Sequence, residues 1–117
     1  MNFEVKIHED ENVGVFKLLE RSLDANISGL VKGEFTILIA NDGVSRLVID
    51  LTGVETCDSS GLSALLVANR LLGAKNGELR IVCPSEKILS LIKITQLDRV
   101  LSLSNSVEEA VSELSEE

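Results

Sequence analysis

The sequence predicts an α/β domain, a mixed sheet of four to five strands with about four helices packed on it. Three observations lead there. The short run Leu47-Val48-Ile49-Asp50-Leu51 has the composition of a strand buried on both faces. Segments with apolar residues at helical spacing lie on either side of it, at 27–40, 59–74 and 85–95. A second run, Leu79-Arg80-Ile81-Val82-Cys83, follows the middle helix, and strand–helix–strand order of this kind requires right-handed crossovers and parallel pairing.

Each element has its own signal. Phe3, Val5 and Ile7 alternate with Glu4 and Lys6, and Val13, Val15 and Leu18 follow an acidic turn from His8 to Asn12, which predicts a β-hairpin. Between Ile27 and Ala40 the positions Leu30, Val31, Phe35, Leu38 and Ile39 recur at helical spacing, although 35–39 alone has strand-like composition. We assign a helix, stopped by Asn41-Asp42-Gly43. After the central strand and a turn through Thr52 and Gly53, a helix runs from Ser59 to Ala74 with Leu62, Leu65, Leu66, Leu71 and Leu72 inward, closed by Lys75-Asn76-Gly77. Pro84-Ser85 opens the next helix, whose Ile88, Leu91, Ile92 and Thr95 face the core. Val100-Leu101-Ser102-Leu103 adds a last short strand. Ser106 and Glu109 have capping-box spacing, and Val107, Ala110, Val111 and Leu114 form the stripe of a terminal helix. No repeat or linker interrupts the chain, so one domain over 1–117 is expected.

Composition excludes several functions. With 19 acidic against 11 basic residues the formal charge is -8, which opposes attraction to nucleic acid or anionic lipid. Three Phe and no Trp or Tyr leave base-stacking platforms without their usual residues. The acidic segment 1–11 is unlike a signal peptide, and no apolar stretch approaches the roughly 20 residues that span a bilayer. A cytoplasmic location without membrane contact is expected. Cys57 and Cys83 are far apart and accompanied by a single histidine, His8, so no Cys/His zinc set can form, and two reduced, buried thiols are expected. There is no G-x-S-x-G, P-loop or G-x-G-x-x-G. Neither a catalytic group nor a cofactor or metal is expected.

In an open α/β sheet, partners meet the loops at the carboxyl ends of central strands, which here singles out 52–61. Asp58 is positioned to cap the following helix by accepting from the N–H of Ser60 or Gly61. Ser59 and Ser60 then fall in the first helical turn. Gly61 is expected to let another chain or a phosphate donor approach the Ser60 hydroxyl. A phosphoryl group on Ser60 would lie among free N–H groups at the positive end of the helix dipole, with Asp58 opposing it. An ordinary structural cap has the same sequence.

Leu47-Val48-Ile49-Asp50-Leu51-Thr52-Gly53-Val54 followed by Cys57-Asp58-Ser59-Ser60-Gly61-Leu62 resembles the STAS domain of bacterial anti-sigma factor antagonists. Leu23-Asp24 resembles that family's turn after its second strand, and 77–82 and 88–100 its later elements. The resemblance implies that Ser60 is phosphorylated by a partner serine kinase that is itself the anti-sigma factor. It further implies that phosphorylation releases the antagonist and that a metal-dependent PP2C-type phosphatase restores it. Asp58, Ser59, Gly61, Leu62 and Asp24 would form the loop that meets the partner, with Ser59 a possible alternative acceptor. Glu20-Arg21-Ser22 stands where family members commonly carry Gly, so that loop departs from the pattern. Two other readings remain: a constitutive STAS subunit of a transport complex, or a STAS module that senses a small ligand.

Overall fold

A computed structural model describes residues 1–115. In chain order these form β1 (Phe3–His8), β2 (Val13–Leu18), β3 (Ser22–Leu23), α1 (Ser28–Thr36) running into a π-helical turn (Ile37–Asn41), β4 (Arg46–Asp50) and β5 (Thr56–Cys57). They continue through α2 (Ser59–Gly73), β6 (Glu78–Val82), α3 (Glu86–Ile94), a 3-10 turn (Leu97–Arg99), β7 (Leu103–Ser104) and α4 (Val107–Ser115). The main sheet has the order β1-β2-β4-β6-β7. Only β1–β2 is antiparallel; the other pairs are parallel, as the strand–helix–strand order requires. This is the mixed sheet with four helices expected from the sequence.

The central strand explains its own composition. Leu47 and Ile49 point to one face of the sheet and join Phe16, Leu18 and Ile81 with residues of α1, α2 and α3. Val48 points to the other face and meets Val13, Val15, Val82 and the α4 residues Ala110 and Leu114. A strand covered on both sides has no position for a polar residue until its end. Phe16 is the aromatic pivot of the larger cluster, stacked on Phe3 at 5.0 Å and edge-on to Phe35 at 5.0 Å.

The apolar run through 35–39 is helical, as its spacing predicts: it completes α1 and widens into the π-helical turn, where the Asp42 N–H donates to the Ile37 carbonyl at 2.9 Å. Lys75 Nζ, at the end of α2, donates to the Ile39 carbonyl at 2.8 Å and ties the two helix ends together. Other details differ from expectation. Leu30 is 59% exposed because only Val31 and Phe35 of α1 reach the core. In α2 the innermost stripe is Gly61, Leu62, Ala64, Leu65, Ala68 and Leu72, and Leu66 and Leu71 are half-buried at its margin. Thr95 does not face inward: it is exposed beyond the end of α3, and its hydroxyl donates back to the Leu91 carbonyl at 2.8 Å. The last strand is shorter than Val100–Leu103, since the N–H groups of Val100 and Leu101 both donate to the Leu97 carbonyl in a turn. β3 and β5, a two-stranded parallel ribbon, were not expected at all.

Replacing Phe16, fully buried, by Ala should cost about 3–5 kcal/mol in urea unfolding. Leu30→Ala should change it by no more than about 0.5 kcal/mol.

Candidate functional site

The loop that leaves β4 is built from short-range hydrogen bonds. Asp50, buried at the end of the strand, accepts the Thr52 N–H at 3.0 Å and the Thr52 hydroxyl on the same Oδ1. This turn redirects the chain, and the Val54 N–H closes it on the Leu51 carbonyl at 3.0 Å. The chain then pairs with β3 in the register Ser22↔Thr56 and Leu23↔Cys57. The Ser22 and Thr56 hydroxyls bond at 2.8 Å, and the Arg21 carbonyl accepts the Glu55 N–H at 2.8 Å. Arg21 Nε also meets Glu55 Oε2 at 2.9 Å, an exposed pair that adds little stability. Glu20 accepts the Asn2 N–H at 2.7 Å. The segment Glu20-Arg21-Ser22 is therefore a hydrogen-bonded approach to the ribbon.

The ribbon delivers Asp58 to the start of α2. Its backbone is extended (φ -109°, ψ -174°), and its Oδ1 accepts the Gly61 N–H at 3.0 Å, while its carbonyl accepts the Leu62 N–H at 3.0 Å. This is the cap read from the sequence, with Gly61 as its donor. Asp58 Oδ2 also accepts the Ala25 N–H at 3.3 Å, which joins the cap to the loop before α1. That contact, across 33 residues of sequence, left no signal in the chain. Asp24 is held close by: its Oδ1 accepts the Asn26 N–H at 3.0 Å, and its carbonyl accepts the N–H groups of Ile27 and Ser28. The structure thus brings Asp24, Asp58, Ser59 and Ser60 to one end of the sheet.

Gly61 has a different purpose from the one expected. It is buried, and a Cβ there would strike the Leu23 carbonyl oxygen and come within 2.5 Å of Cys57 Sγ and 2.8 Å of Leu23 Cγ. The missing side chain lets α2 seat against the β3–β5 ribbon; it does not open a path to Ser60. Leu62, also assigned to the partner-facing loop, is buried in the core at 4% exposure. The surface of the site is Asp58 and Ser59, which are exposed, with half-buried Ser60 and Asp24 beside them. Among the described residues, no hydrogen bond engages either serine hydroxyl.

The neighbouring thiol is held protonated. Burial first, then the field of Asp58, pushes the Cys57 pKa up to about 12. Burial also raises that of Cys83. An open depression of about 500 Å³ lies alongside, lined by Thr52, Val54, Glu55, Pro84, Ser85, Glu86 and Lys87, without an aromatic ring. Among the described residues, no group of three or more His, Cys, Asp or Glu could hold a metal ion. Among the described residues, no helix is long and apolar enough to cross a membrane.

The chain belongs to the STAS domain family, whose pattern matches residues 4–110, a span that takes in the parallel-centred mixed sheet and the capped Asp-Ser-Ser-Gly loop at the end of its middle strand. Among relatives, the anti-sigma-B factor antagonist of Listeria monocytogenes is 28% identical over 105 residues, covering 90% of this chain and 91% of that one. A Thermotoga maritima protein named as a candidate anti-sigma factor antagonist is 27% identical over 74 residues, 63% of this chain; the match spans 66% of that protein's length. An anti-sigma factor antagonist from Mycobacterium paratuberculosis superposes with a TM-score of 0.84 at 25% identity, over 97% of this chain and 92% of that one. The Bacillus cell fate determinant SpoIIAA in its phosphorylated form has the same fold, with a TM-score of 0.73 at 19% identity over 97% and 99% of the two chains.

Gly61→Ala should destabilise the protein by about 1–3 kcal/mol, because backbone must shift to admit the methyl group. Ser60→Ala should stay within about 0.5 kcal/mol of the parent in the same urea titration. At pH 8, native Cys57 should react with iodoacetamide on the order of a hundredfold or more slowly than in denaturant, read by mass spectrometry.

Proposed function

We propose that this protein is an anti-sigma factor antagonist that binds an anti-sigma serine kinase while Ser60 is unmodified and is released when the kinase phosphorylates it. The observation that carries this reading is the division of labour at the start of α2. Asp58 is fully engaged in holding the helix, on Gly61 and Ala25, whereas the Ser60 hydroxyl beside it takes no part in the fold. A phosphoryl group there adds about 1.5 to 2 negative charges among the unbonded N–H groups of the first turn. The core behind it, at Gly61 and Leu62, is sealed by the ribbon and does not need to move.

The change is felt at the surface. Asp58, two residues before Ser60, and Asp24, joined to it through the Ala25 N–H, already lie at this end of the sheet, so the phosphoryl group turns a mildly acidic patch into a strongly acidic one. A partner whose binding face accommodates the first patch meets repulsion from the second. A PP2C-type phosphatase would reverse the step, and the cycle would run in the cytoplasm without membrane or nucleic acid. The names of the Listeria and Mycobacterium relatives, and the phosphorylated state in which SpoIIAA was solved on this fold, support the reading.

Incubated with the serine kinase of its own genome and ATP, the parent and Ser59→Ala should each gain one phosphate by intact mass, and Ser60→Ala none. Transfer to Ser60→Ala at the parent's rate would place the acceptor elsewhere. Stable co-purification with transport subunits, unaffected by ATP, would favour the constitutive-subunit reading instead.

A further inference from the structure

β1 is the outer strand of the main sheet, and no other strand pairs with its free side among the described residues. Its backbone polarity can be read from one bond. The Leu19 N–H donates to the Asn2 carbonyl at 2.9 Å, so Asn2 bonds toward β2, and with the antiparallel register Glu4↔Lys17, Lys6↔Val15 and His8↔Val13 do the same. Phe3, Val5 and Ile7 therefore direct their N–H and C=O groups to the open edge. Their side chains share the face of Phe16 and lie beyond the helix layer, leaving Val5 40% and Ile7 47% exposed. An open edge of this length, with apolar side chains along it, is a template for another strand.

The sequence of β1 is complementary to itself in one antiparallel register. With Val5 opposite Val5 of a second copy, Phe3 stands opposite Ile7, and Glu4 opposite Lys6, each pair occurring twice about the twofold axis. Phe3, Val5 and Ile7 then form the hydrogen-bonded pairs, which is the parity their outward groups require. Glu4 and Lys6 form the non-hydrogen-bonded pairs, in which side chains approach more closely. The neighbouring registers of the same parity fail. One centred on Glu4 sets that carboxylate against its own copy, and one centred on Lys6 does the same with two ammonium groups.

We propose that the β1 edge is a docking surface for a second copy of this chain, paired antiparallel about Val5 so that the two five-stranded sheets become one continuous sheet of twice that width. The twofold axis turns the second sheet end for end. The two Ser60 loops, at the carboxyl ends of β4, then point in opposite directions and both stay uncovered, so each copy keeps its site. The contact is small and mostly backbone, which makes a weak and reversible dimer. Its existence is independent of the function proposed for Ser60.

Sedimentation of the full chain from about 10 µM to about 1 mM should show the mass rising from 12.7 kDa toward twice that value. Lys6→Glu and Glu4→Lys should each weaken the association tenfold or more, and the double reversal Glu4→Lys with Lys6→Glu should restore it. Val5→Pro removes an outward N–H without breaking a bond to β2 and should leave a folded monomer. A chain that stays monomeric at every concentration overturns the proposal. So does a dimer equally strong in Lys6→Glu and Val5→Pro.

Discussion

The seat of α2 on the Leu23 carbonyl is the contact on which the rest of the site depends. Only a residue without a side chain can occupy position 61 without moving the backbone, because a Cβ would meet that oxygen and the Cys57 sulfur together. The closeness fixes the β3–β5 ribbon beneath the helix, and the ribbon in turn holds Asp58 extended, with one carboxylate oxygen on Gly61 and the other on Ala25. Two loops separated by some thirty residues become one rigid end of the sheet.

Rigidity of that kind has a consequence for charge. A helix start stabilised by its neighbouring serine would weaken whenever the serine was altered. Here the cap is a carboxylate one residue before the helix, and the hydrogen bonds that hold the site run through Asp58, Asp24 and the backbone of Leu23 and Ala25. Ser59 and Ser60 sit in the first turn as passengers of this arrangement. The proposed switch needs this separation, because a modification that unfolded the loop would destroy the binding surface instead of recharging it. Cys57 packs under the same turn, where burial and the field of Asp58 hold its thiol protonated.

Periodicity revealed the elements long enough to show it. β1, β2, β4, β6 and the four helices all follow from alternation, from continuous apolar runs or from i, i+3, i+4 spacing, and Asp58 is legible as a cap from its position before an apolar stripe. β3 and β5 have two residues each, too few to carry any pattern, and their pairing is fixed by the packing of Leu23 and Cys57 against Gly61. The same hidden contact is why the sequence suggests Gly61 as room for a partner, whereas it is room for the protein's own backbone. Thr95 and Val100 fit a helical stripe and a strand by composition, yet both lie past the point where the chain turns at 95–100, a turn made by hydrogen bonds that hydrophobic spacing does not encode. Ser60 stands out in the sequence from its place in the Asp-Ser-Ser-Gly loop, whereas the freedom of its hydroxyl from any hydrogen bond among the described residues is visible only in three dimensions.

The most direct test compares the phosphorylated and unphosphorylated protein in two measurements on the same preparation, urea unfolding and equilibrium binding to the kinase. Unfolding free energies should agree within about 0.5 kcal/mol, and affinity should fall tenfold or more. A phosphoprotein several kcal/mol less stable, or equally stable and bound as tightly as before, would contradict the proposed switch.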